Sequence, residues 1–193
     1  MPTTLPLDTV EVHRFSLDEY HQLIESGGLE EDSRVELIDG LLADMSPKTR
    51  EHERAVRWLA GWLALAIDRR RFEVGVGSPL TLAHRRSEPE PDLAVFARDA
   101  PAPYHPSTAA LVIEVSVSSL ARDLGPKASL YASAGIAEYW VVDLHGRRVV
   151  VHRDPTDDGY GSVLEVRDNG RITATAFALG ELSVGELLAA ARA

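Results

Sequence analysis

The strongest hydrophobic pattern in the chain lies at residues 111–117, which read LVIEVSV. An apolar, β-branched run of this length, bounded by turn residues, is typical of a buried strand. Strand alternation places Glu114 and Ser116 on one face and Ile113 and Val115 on the other. An ionised carboxylate inside such a strand is costly unless it is paired or binds a metal, so Glu114 marks a candidate site.

The rest of the chain alternates between helical and extended patterns. Helices are predicted where a capping residue precedes an apolar stripe, after Ser16, after Ser46 to about Arg69, over about 120–134, and after Ser183. Period-two apolar runs predict strands at 72–76, 79–83, 93–96, 138–143, 149–153, 160–166 and 172–177, and Asp39-Gly40 predicts a hairpin turn. This order indicates a mixed α/β (α+β) fold, one sheet with flanking helices, in a single domain over 15–193 after an arm at 1–14.

Composition narrows the class of protein. The 193 residues are 45% hydrophobic and 26% charged, as in soluble globular proteins. No apolar stretch reaches the roughly 20 residues that span a bilayer, and the N-terminal residues lack a signal-peptide pattern. Cysteine is absent, which excludes disulfides and thiolate metal sites. We therefore expect a cytoplasmic protein with no membrane partner.

The net charge of −10 argues against non-specific coating of nucleic acid. Between Lys48 and Arg86, however, nine basic residues stand against four acidic ones. This stretch is either a local phosphate-binding surface or a set of solvated helix and turn charges. The sequence leaves both interpretations open.

Four residues form the candidate catalytic set: Glu36, Asp92, Glu114 and Lys127. Phosphodiester hydrolysis needs an activated water and relief of the growing phosphate charge, and a divalent metal supplies both. Mg²⁺ (or Mn²⁺) prefers oxygen ligands, which Glu36, Asp92 and Glu114 offer. Lys127 could orient or deprotonate the attacking water, or stabilise the transition state. Glu36 is also compatible with a half-exposed strand residue, and His52 with either a capping or packing residue or a ligand.

Other site chemistries find less support in the sequence. It contains no phosphate loop of the P-loop or dinucleotide type, no histidine pair at i, i+4 and no GxSxG elbow. Residue types alone leave a two-carboxylate glycosidase open. Only 6% of the residues are aromatic, which argues against the aromatic-rich cleft of such enzymes.

The motif series ELIDG, MSP, H, PD, IEV, D, K, Y, G and EYWVVD resembles the Uma-type family of bacterial restriction-endonuclease-like proteins. This family belongs to the PD-(D/E)xK nuclease superfamily, and the resemblance covers about residues 15–154. It implies a restriction-endonuclease-like core with flanking helices, an added antiparallel hairpin region and divalent-metal-dependent cleavage of DNA. The PD element falls on Pro91-Asp92, the acid of (D/E)xK on Glu114, and the early glutamate on Glu36.

The chain departs from the motif at Ser116, where the family pattern has lysine. In the family that it resembles, a lysine of the following helix takes over, and Lys127 holds that place. Asp123 recurs with this lysine as a helix-start or lysine-positioning residue, and Tyr131 recurs as a packing residue. His52, Ser116 and Asp123 are further candidates for contacts with the substrate.

Three functions follow from these patterns. The first is a Mg²⁺-dependent DNA endonuclease. The second is a nuclease-fold module that binds nucleic acid or mediates assembly without efficient catalysis, which Ser116 and the acidic net charge favour. The third is a metal hydrolase of another phosphoester. Cutting both strands of a duplex favours a homodimer, for which the hairpin of EYWVVD and VVVHR could supply an edge.

Overall fold

The computed structural model describes residues 11–30, 33–175 and 180–193. The helices are α1 (Leu17–Glu25), α2 (Arg50–Ala66), α3 (Leu120–Arg122), α4 (Ala128–Ser133) and α5 (Val184–Arg192). A 3₁₀ turn spans Ala83–Arg85, and a π-helical turn, Asp123–Lys127, joins α3 to α4. The strands are β1 (Val35–Ile38), β2 (Leu41–Asp44), β3 (Phe72–Val76), β4 (Leu93–Ala97), β5 (Leu111–Ser116), β6 (Glu138–Asp143), β7 (Arg148–Thr156), β8 (Gly159–Arg167), β9 (Arg171–Ile172) and β10 (Leu182–Ser183).

A six-stranded sheet in the order β3-β4-β5-β6-β7-β8 forms the centre of the fold. Strands β5 and β6 are parallel, and the segment α3–α4 connects them; every other neighbouring pair is antiparallel. The helical connection is what a parallel pair requires, since a tight hairpin cannot join parallel strands. The predicted mixed α/β fold is confirmed.

The two faces of this sheet carry two separate hydrophobic clusters. Ile113 and Val115 contribute to the cluster that also contains residues of α2 and α5. Val112, on the opposite face of β5, packs in the cluster that contains residues of α4. Within the described ranges no helix is long and apolar enough to cross a membrane.

Local sequence signals account for α1 and for the β1–β2 hairpin. The Ser16 hydroxyl accepts from the backbone N–H of Glu19, and the Glu19 carboxylate accepts from the backbone N–H of Ser16, so the predicted capping box is confirmed. Asp39 (φ 50°) and Gly40 (φ 77°) form the turn between β1 and β2 in the left-handed region, as an Asp-Gly hairpin turn requires.

Two predicted boundaries are wrong. Helix α2 begins at Arg50 rather than after Ser46, because the Thr49 side chain caps it by accepting from the N–H of His52. Residues 79–83 are not a strand: Leu82 forms an isolated bridge with Ser87, and the chain then turns through the 3₁₀ segment. Pro79 at the start of that run cannot donate to a ladder, which helps to explain the irregular path.

The strand and hairpin predictions near the C-terminus have mixed outcomes. Strand β6 spans Glu138–Asp143 and pairs with β7 as predicted. The β6–β7 hairpin lies inside the sheet, however, so it cannot supply the free edge that we expected for a homodimer. Of the predicted strand 172–177, only Ile172 is in a strand (β9), and Ala176 and Phe177 lie outside the described residues, as do residues 1–10 of the expected arm.

Candidate functional site

A cavity of about 40 Å³ opens beside β5, where the β1–β2 hairpin, the chain entering β4 and the segment α3–α4 converge. Its volume exceeds the minimum that holds one water molecule. The four predicted catalytic residues all line it, together with other charged and polar side chains: Glu36, Asp92, Glu114, Lys127, His52, Glu90, Asp123, Arg34, Lys48, Arg122 and Ser119. The fold thus brings together four predicted residues that are up to 91 positions apart in sequence.

The Lys127 ammonium lies between two carboxylates at the centre of this site. Its Nζ donates to Glu114 Oε1 at 2.8 Å and is 2.9 Å from Glu36 Oε2. All three residues are buried, with exposed fractions of 3% for Lys127, 5% for Glu114 and 1% for Glu36. The hairpin, the central strand and the helix are therefore joined by one buried ion cluster.

The π-helical turn presents Lys127 to the strand. Pro126 lies inside this turn and has no N–H for the α-helical ladder. A π-helical turn, whose hydrogen bonds close one residue later than those of an α-helix, accommodates the N–H that Pro126 lacks. Such turns are frequent at functional sites. Lys127 thus reaches Glu114 from the helix, whereas Ser116 stands at the motif position of the lysine.

Asp92 precedes β4 and is held by two donors. Its Oδ2 accepts from the backbone N–H of Val115 at 2.8 Å and lies 2.9 Å from Nε2 of His52. Its carboxylate therefore stands next to Glu114 across the β4–β5 pair. His52 contacts a candidate site residue, and its Nδ1 is buried without a partner among the described residues.

Electrostatics of the site favour additional positive charge. Burial raises the pKa of Glu114 to about 8, although Lys127 opposes this shift. The nearby carboxylates of Asp92 and Asp123 raise it further. Burial also acts to lower the pKa of Lys127, but Glu114 and Glu36 outweigh it and the net pKa is raised. The lysine is thus charged at neutral pH, and the five acids that line the cavity outnumber its four lysine and arginine side chains by one.

A second buried acid on a neighbouring strand shows what a purely structural glutamate looks like in this fold. Glu138 is fully buried, and both of its oxygens are hydrogen-bonded, to Arg153, Trp140 and Thr175. In the cavity, by contrast, Glu36 Oε1 is buried without a hydrogen-bond partner in the described part of the chain. Glu36 therefore differs from Glu138 in one oxygen atom that accepts no hydrogen bond and has Arg122 Nη1 4.0 Å away.

Two site residues are missing from the sequence-based set. The Tyr131 hydroxyl donates to Glu114 Oε1 at 3.1 Å, so this side chain positions the acid instead of only packing. Glu90 lines the cavity, donates its backbone N–H to Glu36 Oε2 and has a pKa raised by burial. The signal for Glu90 is its place two residues before Asp92 in the PEPD segment; Tyr131 follows Lys127 by one helical turn.

The remaining predicted residues, Asp123 and Ser116, form a small network with Ser119. The Ser119 hydroxyl donates to the Asp123 carboxylate and lies 3.3 Å from the Ser116 hydroxyl. Burial raises the pKa of Asp123. Asp123 lines the cavity but does not contact Lys127 directly, whereas Ser116 is 1% exposed and does not line the cavity.

The donor set suits a small, hard divalent cation. Such an ion prefers carboxylate oxygens, and among those of the cavity Glu36 Oε1 accepts no hydrogen bond in the described part of the chain, with Arg122 Nη1 4.0 Å away. Within residues 11–30, 33–175 and 180–193, no group of three or more His, Cys, Asp or Glu side chains is arranged to hold a metal ion. Mg²⁺ often takes only one or two carboxylates and keeps several waters, which the pair Asp92 and Glu114 can provide.

Comparisons with known proteins identify the family and the fold of the chain. The sequence matches the family described as "Uma2: Putative restriction endonuclease" over residues 17–185. The fold is similar to the crystal structure of a putative nuclease belonging to DUF820 from Anabaena variabilis ATCC 29413. The TM-score is 0.71 at 16% identity, over 92% of this chain and 99% of the other. None of the curated proteins matches the sequence. At this identity the structural likeness shows a shared fold, and the sequence match shows that the chain belongs to the Uma2 family of putative restriction endonucleases.

Proposed function

We propose that this protein is a divalent-metal-dependent endonuclease that hydrolyses phosphodiester bonds in DNA. The observation that carries the proposal is the convergence of Asp92, Glu114 and Lys127 on one cavity in a chain of this family. The buried carboxylates of that cavity support a resident cation, and a phosphodiester is the substrate class that such a cation and a fixed ammonium serve together.

In this proposal Asp92 and Glu114 hold the metal. A bound Mg²⁺ or Mn²⁺ would supply an activated water and would neutralise charge on the phosphate. His52 and the N–H of Val115 fix the orientation of the Asp92 carboxylate. Because the same geometry constrains the acid before any ligand binds, little reorganisation is needed at the moment of reaction.

Lys127 acts as a hydrogen-bond donor and a positive charge toward the scissile phosphate. Its raised pKa, which its two carboxylate neighbours cause against the effect of burial, disfavours the neutral amine that a general base would need. Glu36 is placed to hold this ammonium, since its Oε2 lies 2.9 Å from Nζ. Tyr131 holds the Glu114 carboxylate from the other side.

The test uses the purified protein with supercoiled plasmid and with labelled oligonucleotides, in Mg²⁺, in Mn²⁺ and in EDTA. Cleavage is expected only with metal, and we expect Asp92→Asn and Glu114→Gln to reduce its rate roughly 100-fold or more. Asp158→Asn, on the exposed turn between β7 and β8, is the matched control and keeps the wild-type rate. Cleavage that persists in EDTA or in both site variants would disprove the assignment.

One observation favours a second function, a nuclease-fold module that binds nucleic acid without efficient catalysis. Lys127 already neutralises part of the acid cluster, and the motif position Ser116 carries no charge. Calorimetric titration with Mn²⁺ separates the two functions. Binding at micromolar to millimolar Mn²⁺ that is lost in Glu114→Gln supports the enzyme, and absence of binding at millimolar Mn²⁺ supports the module.

A further inference from the structure

A second concave surface adjoins the catalytic cavity. It is a groove of about 420 Å³ between α2 and the end of β3. The helix wall consists of residues at positions i, i+3, i+4 and i+7 of α2, which share one helix face: Glu53, Val56, Arg57 and Ala60. The strand wall is Val76 and Gly77.

The groove and the cavity are continuous. Lys48, His52 and Asp92 line both of them. A nucleic-acid strand with a phosphate at Asp92 would therefore extend directly into the groove. Apart from His52 and Asp92, the residues of the groove have no role in the mechanism proposed above.

The chemistry of the groove matches a nucleotide. The apolar lining consists of Val56, Ala60 and Val76. The aliphatic side chain of Val76 is 55% exposed to solvent. Lys48 and Arg57 stand at the groove with no ion pair to any residue in the described ranges. Apolar walls for a base and free cations for its phosphates are the two elements of single-strand binding sites.

The size of the groove selects against an intact base pair. Its volume is that of a site for one drug-sized ligand, which holds a single nucleotide but not a pair with both backbones. A base can enter only if it is unpaired or has left the stack. The acidic net charge of −10 also disfavours the broad phosphate contact that a long duplex would make.

We infer that the groove between α2 and β3 binds one unpaired nucleotide next to the scissile phosphate, so that the substrate is a single strand, an overhang or a flap instead of a blunt duplex. This inference rests on the proposed nuclease function for the position of the cut, while the binding surface itself is independent of catalysis. Val76 and Ala60 contact the base, and Arg57 contacts its phosphate.

The experiment measures binding by fluorescence anisotropy in EDTA, where no metal-dependent cleavage occurs. The probes are a fluorescein-labelled 12-nucleotide DNA strand and the blunt duplex of the same sequence. We expect the single strand to bind about tenfold more tightly than the duplex, the effect of burying part of one base. Equal affinity for the two probes, or tighter binding of the duplex, would overturn the inference.

A matched pair of variants locates the binding surface. Val76→Asp places a negative charge at the groove, and Leu65→Asp makes the same change at an aliphatic residue of α2 that is 92% exposed and outside the groove. We expect Val76→Asp to weaken binding of the single strand about tenfold and Leu65→Asp to leave it unchanged. Equal effects of the two variants would remove the groove from the binding surface.

A third variant covers the case in which Val76→Asp disturbs β3. Ala60→Leu fills the groove from the helix side with a larger apolar residue. If the groove binds the base, we expect this variant to lose the same affinity for the single strand. Selective binding of the single strand without any cleavage in Mg²⁺ would refute the nuclease function and leave the groove assignment standing. Cleavage without that selectivity would do the reverse.

Discussion

Replacing Lys127 by methionine tests the ion cluster at its centre. Methionine has a similar length and no charge, so Lys127→Met leaves the Glu36 and Glu114 carboxylates buried without the ammonium that contacts both of them at 2.9 and 2.8 Å. Removing one partner of a buried ion pair costs about 3–5 kcal/mol of folding free energy. Part of this cost is relieved because Glu114 can stay protonated at pH 7, since burial raises its pKa to about 8 and Lys127 opposes that rise.

The assay is urea unfolding in EDTA at pH 7, followed by tryptophan fluorescence. With an m-value of about 2 kcal/mol/M for a protein of this size, the loss corresponds to a shift of about 2 M in the unfolding midpoint. In the double variant Lys127→Met with Glu114→Gln, the neutral amide no longer needs a counter-charge. We therefore expect the double variant to be more stable than Lys127→Met alone.

The chain provides a close control, because it contains only one other lysine, Lys48, which is exposed. Lys48→Met makes the identical chemical change at the surface and is expected to alter stability by no more than about 0.5 kcal/mol. A change below about 1 kcal/mol in Lys127→Met, or a double variant less stable than the single one, would refute the account of the cluster as a mutually dependent set of charges.

Three further outcomes follow from the same geometry. Because burial raises the pKa of Glu114 from 4.5 to about 8, the folded metal-free protein holds a proton that the unfolded chain releases between these two pH values. Stability should therefore fall as the pH rises through this interval, by up to about 5 kcal/mol, and Glu114→Gln should flatten the profile in urea unfolding at several pH values. An amine-acylating reagent should modify Lys48 much faster than Lys127, which is 3% exposed, and comparable labelling of both by peptide mass spectrometry would contradict the buried position. Tyr131→Phe removes the hydroxyl that donates to Glu114 and should lower stability by about 1–2 kcal/mol, whereas an unchanged unfolding midpoint would show that this hydrogen bond is unimportant.

Local signals in the sequence predicted much of the fold. The capping box at Ser16, the Asp-Gly turn at Asp39 and the apolar run of β6 each depend on residues within a few positions of one another. The start of α2 is harder to predict, because Ser46 and Thr49 are both good N-cap residues and only their surroundings decide between them. The run 79–83 has strand-forming residues but lies where the chain must turn toward Glu88, which bonds to Leu37.

The candidate site was predictable as a set of residue types but not as a set of contacts. Glu114 stands out because a carboxylate interrupts an apolar strand, and Asp92 because it follows a proline at a strand start. That Glu36 meets Lys127, or that Tyr131 meets Glu114, depends on how the hairpin and the helix pack on the sheet. No local pattern carries this information, so the sequence alone predicts only a packing role for Tyr131.

Because Lys127 enters from a helical turn, its contact with Glu114 depends on how that turn packs on the sheet. In a motif that places lysine two residues after the acid, both groups belong to one strand, and neither can move without disrupting the sheet. Here Glu114 belongs to β5 and Lys127 to the π-helical turn. A partner or a sequence change that shifts this turn by one residue would separate Lys127 from Glu114 and Glu36, while all six strands of the sheet remain in register.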